Sequence, residues 1–383
     1  MATTQKGNKK TARSSGISTG VEGGNDSKRP QNISSASESN NIAVATNNND
    51  DDEDNNRELP TPAELSKELS KIVSDRYSRD ESVRALENLY NWALTGDNDF
   101  LKLFYTYGGI VRVVDFLKAT MDDVNCEGSI RMECIADAAG VIAQIAYQEE
   151  NFINNEIVAK IVATLLDCDG ITTLIAASEE YTGEKGVPQL KAVCSVWHAF
   201  RNLTCILPSD TLMIQDTAII IFGTGIDIIS LLKSVDGDIA SKTLENVFCS
   251  LDSIVNHDFV TKKYFQDENI LSKCLEIFKM NGTWNLRSCE GLIEHAVDFF
   301  DTCDIKYLFD GSSDYKMIIP LLVAALKKFP LNDEIRSYVV TPSWNTVLRS
   351  GVMEPLILLL ASDEINDEDE KNKVRTLISK LIA

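Results

Sequence analysis

The chain has 383 residues, with 37 Lys or Arg, 58 Asp or Glu and three His, a formal net charge of −21 and a hydrophobic share of 44%. That length can bury one large core or two ordinary ones. The acid excess argues against nucleic acid or an anionic membrane as the main partner, because both attract clustered Lys and Arg.

Residues 1–59 are poor in large apolar side chains and rich in Ser, Asn, Gly, Thr and Asp, so they bury too little surface to offset the entropy of ordering. They are expected to form a disordered tail with seven basic and nine acidic residues, which leaves −19 of the charge in residues 60–383. Its basic start, Lys6 to Arg13, has no apolar run behind it and reads as no secretory leader. The longest apolar stretch, Ala218 to Leu232, is interrupted by Gly223, Thr224, Gly225 and Asp227, which speaks against a membrane span. A cytosolic or nuclear protein is the expectation, with the sequons at Asn32, Asn202 and Asn281 unused.

From Pro60 onward the dominant signal is helical periodicity. Leu65, Leu69, Ile72 and Val73 share one stripe, as do Val83, Leu86, Leu89 and Tyr90, while alternating strand patterns are scarce. One element recurs: a turn residue, an aliphatic residue, then a short apolar helix. It appears at Gly108-Gly109-Ile110, Asp169-Gly170-Ile171 and Gly225-Ile226, and more weakly at Asn269-Ile270 and Gly351-Val352. Longer and shorter helices precede each copy, as Ser82–Leu94 and Asp99–Tyr105 precede Gly108, and Gln189–Cys205 and Thr211–Ile221 precede Gly225. Such three-helix units close no core alone and must share one apolar spine by stacking.

This triple of helices, with Gly108-Gly109-Ile110 opening the second, resembles the armadillo repeat. His198-Ala199-Phe200-Arg201-Asn202-Leu203-Thr204 resembles its groove-lining third helix, and Gly351 to Ile357 the start of a second helix. The resemblance covers about residues 80–383. It implies an all-α, right-handed α-α superhelix of about six imperfect units over residues 60–383, with Gly223-Thr224-Gly225 as an interhelix turn. A cap on the terminal stacking face is expected from Lys371, Lys373, Arg375 and Lys380, and with it a monomer; the alternative is dimerisation through this end.

In armadillo proteins the third helices line a groove in which an Asn holds the backbone of an extended peptide and a Trp four residues earlier sandwiches its side chains. Carried over position by position, the Asn place falls on Asn91, Gln144, Asn202 and Ser253, and the Trp place on Glu87, Gly140, His198 and Cys249. In a fifth unit the two places fall on Asp298 and Glu294. The amide ladder is largely kept and the indole ladder is absent, which speaks against a reader of nuclear localisation signals. Glu87, Glu294 and Asp298 favour basic linear segments. The implied function is a non-enzymatic scaffold that binds an extended or helical segment of another protein. The alternative is a regulator that docks a folded partner, such as a small GTPase or a transport factor, on the solenoid surface.

Nothing supports catalysis, a cofactor or a metal. Glu294-His295 lacks the second His of a zinc-protease helix, Gly223-Thr224-Gly225 is followed by no Lys-Ser or Lys-Thr, and no Gly-x-Ser-x-Gly elbow occurs. The nine cysteines stand singly without a Cys-x-x-Cys pair and read as reduced core thiols. Trp92 and Trp197 fall on apolar helix faces and are expected in the core.

Overall fold

The computed structural model describes residues 59–303, apart from the interruptions 74–77, 96, 124–125, 148–155, 184–185, 207–211, 268, 281–282 and 285–288. Beyond them it describes scattered positions between 321 and 361 and the helix Glu368–Ile382. Contacts divide the chain into two units, Met1–Asn55 and Asn56–Ala383, and the first lies wholly outside the described residues. The tail proposed for residues 1–59, Leu59 excepted, and the Gly351 copy of the repeat, Ile357 excepted, lie outside them too.

Two helices come first, α1 (Pro62–Val73) and α2 (Arg79–Ala93). Two complete triples follow: α3 (Asn98–Thr106), α4 (Gly109–Asp122) and α5 (Gly128–Ala146), then α6 (Glu156–Asp167), α7 (Gly170–Glu179) and α8 (Val187–Thr204). Next are α9 (Leu212–Leu232) and α10 (Asp238–Asn256), and then α11 (Lys262–Asp267), α12 (Ile270–Leu275) and α13 (Glu290–Cys303). Between α12 and α13 a two-residue antiparallel ladder pairs β1 (Lys279–Met280) with β2 (Thr283–Trp284). The last helix is α14 (Glu368–Ile382).

Equivalent helices pack against one another along the stack. The first-helix layer pairs α3 with α6, and the second runs α1, α4, α7, α9, α12. The third, most heavily packed, runs α2, α5, α8, α10, α13. The described helices form an armadillo-like solenoid. The sequence shows why the third layer is the spine. In α5 every position from Ala138 to Ala146 except Gln144 is buried, and in α10 every position from Thr243 to Phe248. A helix buried on nearly all sides needs neighbours on nearly all sides. Between α10 and α13 the spine is aromatic: Phe248 lies 5.7 Å from Phe299, 5.9 Å from Phe300 and 6.0 Å from Phe278, centroid to centroid. Trp197 is fully buried, with its indole N–H donated to Ser178 Oγ at 3.0 Å, and Trp92 packs half-buried against the core.

The recurring sequence element is a left-handed turn. Gly108, Asp169 and Asn269 stand immediately before α4, α7 and α12 with φ of 67°, 57° and 51°. Gly, Asp and Asn are the residues that enter that region most readily. The next residue in the first two copies is Gly109 or Gly170, each with a side chain (Phe104 or Leu165) within 2.8 Å of where its Cβ would be. Then comes a buried Ile110, Ile171 or, directly after Asn269, Ile270. The turn bends α6 against α7 by 66°.

The third copy corrects the sequence reading. Gly223-Thr224-Gly225 is no turn: α9 runs unbroken through it. Where the other copies place Gly, Asp or Asn, this one places Thr224, whose branched Cβ disfavours positive φ, so the first and second helices fuse. Gly225 is used instead for close packing, since a Cβ there would lie 2.9 Å from both Leu251 and Trp197. The segment Gln215–Leu232 is therefore long and apolar enough to cross a membrane, contrary to the expectation drawn from its glycines. Half of it is buried, where α9 packs against α7, α10 and α12.

Replacing Gly223, whose added Cβ would meet only Tyr264 Oη at 3.5 Å, by Ala is expected to stabilise the protein by ~0.5–1 kcal/mol, the usual gain for a helix-interior Gly. Gly225→Ala is expected to cost ~1–3 kcal/mol through overpacking. Urea midpoints check both; a turn at this place would make the Gly223 change destabilising.

Candidate functional site

The third-helix layer leaves one polar stripe on its outer side, and charge divides it into three zones. The first zone lies on α2 and α5. Glu87 and Glu133 are exposed and Asp137 is half-buried between their helices. Burial pushes the Asp137 carboxyl up first, and the negative charges of Glu87 and Glu133 add to it; Lys191 on α8 opposes them, and the net value is about 7. This carboxyl sits where its charge is poorly compensated.

The second zone is cationic and lies on α8 and α10. Arg201 and Lys242 converge there on Glu245, which is 8% exposed at its side chain. Arg201 Nη1 donates to Glu245 Oε1 at 3.0 Å and Lys242 Nζ at 2.6 Å, and the thiol of Cys289 donates to Oε2 at 3.6 Å. His295 Nε2 of α13 lies 4.0 Å away. Burial alone would raise the Glu245 pKa; the ammonium, guanidinium and imidazole outweigh it and hold it below the usual range. One carboxylate thus ties three consecutive third helices. Losing one partner of such a group costs ~3–5 kcal/mol. His198, beside it, is pushed down to about 4 by burial and by the Arg201 and Lys242 charges, so its ring is neutral near pH 7.

The third zone, on α10 and α13, is acidic again. Asp252, Glu294 and Asp298 are half-buried there, and His295 Nδ1 lies 3.6 Å from Asp298 Oδ2. Burial and the charge of Asp298 lift the Asp252 carboxyl.

All ten residues carried over from the resemblance stand on this layer: Glu87 and Asn91 on α2, Gly140 and Gln144 on α5, His198 and Asn202 on α8, Cys249 and Ser253 on α10, Glu294 and Asp298 on α13. Their local roles differ. Asn91 is exposed. Gln144 Nε2 donates to Tyr90 Oη at 3.4 Å, and Tyr90 also lies over Gly140. Asn202 Nδ2 donates to the Ala143 carbonyl at 2.8 Å and so caps the C-terminal end of α5, where carbonyls have lost their helical partners. Ser253 Oγ lies 3.4 Å from Cys205 Sγ. Glu294 accepts from Asn332 Nδ2.

Sequence reasoning missed the charged residues that shape this surface: Glu133, Asp137, Lys191, Arg201, Lys242, Glu245 and His295. All but Lys191, which lies seven positions from His198, stand three or four positions, one helical turn, from an expected site or from another of these residues, and that periodicity could have found them. Among the described residues no group of three or more His, Cys, Asp or Glu is arranged to hold a metal ion.

No protein-family model matches the chain and no curated protein matches it. Several solved structures do. Two are crystal structures of engineered proteins: one has a TM-score of 0.43 at 15% identity, covering 83% of this chain and 98% of its own. The other has a TM-score of 0.42 at 13% identity, covering 83% and 96%. A third is a designed armadillo repeat protein in complex with the peptide (KR)4, with a TM-score of 0.38 at 14% identity, covering 83% and 99%.

Asp137 gives a pH signature. Its folded pKa of about 7 lies above the unfolded value of 3.8, so the folded state holds a proton that the unfolded state releases. Its cost to stability is absent below the unfolded value and grows as pH rises to the folded one. Asp137→Asn is therefore expected to stabilise the protein at about pH 8 by on the order of 1–2 kcal/mol after solvent screening. Urea unfolding should show the gain disappearing near pH 4.

Proposed function

We propose that the outer side of the third-helix layer is a protein-binding surface that takes an extended segment of a partner, and that the chain is a non-enzymatic scaffold. The observation that carries this reading is Asp137, a half-buried carboxyl set against Glu87 and Glu133 with only Lys191 opposing. A Lys or Arg side chain placed there would relieve repulsion that the protein alone leaves in place.

The zones add an order to the partner. Packed helices lie roughly 8–10 Å apart, and an extended chain advances about 3.3 Å per residue, so each third helix faces about three partner residues. A segment lying across the layer would carry a basic residue at α2 and α5. An acidic one would follow some three to six residues on at α8 and α10, and a second basic one at α13. This amends the simple preference for basic segments, because Arg201 and Lys242 occupy the middle. Exposed Asn91 offers the partner backbone both a donor and an acceptor. Asn202 already donates to Ala143 and would contribute its oxygen.

Fluorescence anisotropy with labelled dodecapeptides and the full chain tests the reading. A peptide with basic, acidic and basic residues in that order is expected to bind more tightly than its scrambled form. Glu87→Gln with Glu133→Gln is expected to weaken it about five- to tenfold, on the order of 1 kcal/mol for the two lost pairs together. Affinity should also fall as pH drops below 7, because a bound cation requires Asp137 to give up its proton. Equal binding of ordered and scrambled peptides would contradict the reading.

A further inference from the structure

Two thiols meet on this layer. Cys205 stands where α8 ends and is exposed, with its Sγ 3.2 Å from the Arg201 carbonyl and 3.4 Å from Ser253 Oγ. Cys249 lies one turn before Ser253 on α10, half-buried, and so on the face of α10 that meets Cys205. The sulfurs therefore face each other across two consecutive repeats. Cys134, Cys194, Cys274 and Cys303 are by contrast buried thiols of the core.

The electronic setting of the two differs. The Cys249 thiol first, then Ser253 and the Arg201 guanidinium, lower the Cys205 thiol to about 6, against burial and the charge of Asp252. Cys249, beside Cys205 and in a more sheltered place, is raised. Burial drives Cys134 to about 12 and Cys194 to about 11. Thiolate character and exposure together set reactivity toward oxidants.

We propose that Cys205 and Cys249 form a peroxide-reactive dithiol that closes into a disulfide joining α8 to α10. The Cys205 thiolate attacks a peroxide oxygen, the O–O bond breaks, and Cys205 becomes a sulfenic acid as hydroxide leaves. Cys249 then attacks the Cys205 sulfur and loses its proton, and the sulfenic oxygen departs as water. Two thiols are oxidised by two electrons and one peroxide is reduced to two waters. The bond would form three residues from Asn202 and one turn from Ser253, so it would stiffen the middle of the proposed binding surface. That consequence rests on the proposed function; the thiol chemistry does not.

The test treats the reduced full chain with one equivalent of hydrogen peroxide and reads intact mass and non-reducing peptide maps. A loss of about 2 Da with a Cys205–Cys249 cross-link is expected. Cys205→Ser should abolish both, whereas Cys249→Ser should leave a Cys205 sulfenic acid that dimedone traps. Thermal melts of the two variants, each close to isosteric with the parent, establish that they fold. Oxygen addition without the cross-link, a different first cross-link, or dimedone labelling of Cys205 no greater in Cys249→Ser than in the parent would overturn the proposal. A cross-link that forms while peptide affinity is unchanged upholds the dithiol and counts only against the binding surface.

Discussion

The structure depends on helices that are buried on too many sides to be covered by their own unit. α5 and α10 bury nearly every position along half their length. Only the equivalent helices before and after can cover them, so the apolar spine is a property of the stack. Small residues make that spine tight: Ala138, Ala139, Gly140 and Ala143 let α5 approach α2 and α8 closely, and large aromatics take over between α10 and α13. The left-handed turns at Gly108, Asp169 and Asn269 feed the second helices back onto this layer.

A spine buried on both flanks leaves each third helix one strip for polar residues, and the strip has two opposite solutions. Glu245 is surrounded by Arg201, Lys242 and His295 and ties three helices together. Asp137, two helices earlier on the same strip, faces two further carboxylates instead. A site where local electrostatics oppose the fold is where a binding role is sought, because the rest of the molecule has carried that cost.

Helix order and the repeat were legible because they depend on local pattern: apolar spacing, and a turn residue followed by an aliphatic. Even the departure at α9 was written locally, in Thr224 standing where Gly108, Asp169 and Asn269 stand elsewhere, although the flanking glycines suggested a break. The surface was harder to read because its chemistry is set between helices some fifty residues apart. Spacing placed Asn202 on the third-helix layer but not its bond to the Ala143 carbonyl. It put Cys249 at a groove position without showing that Cys205 faces it, which turns on the mutual rotation of α8 and α10. His295, read as a histidine without a partnered motif, acquires Glu245 and Asp298 only through packing.

The sharing of the spine is tested most directly by removing one central side chain and following its neighbours. Phe248→Ala takes from α10 the ring that meets Phe278, Phe299 and Phe300, at a cost of ~3–5 kcal/mol. Hydrogen exchange read by mass spectrometry is predicted to show amide protection falling in α8, α10 and α13 together. Loss confined to α10, with α8 and α13 protected as before, would contradict a core held in common.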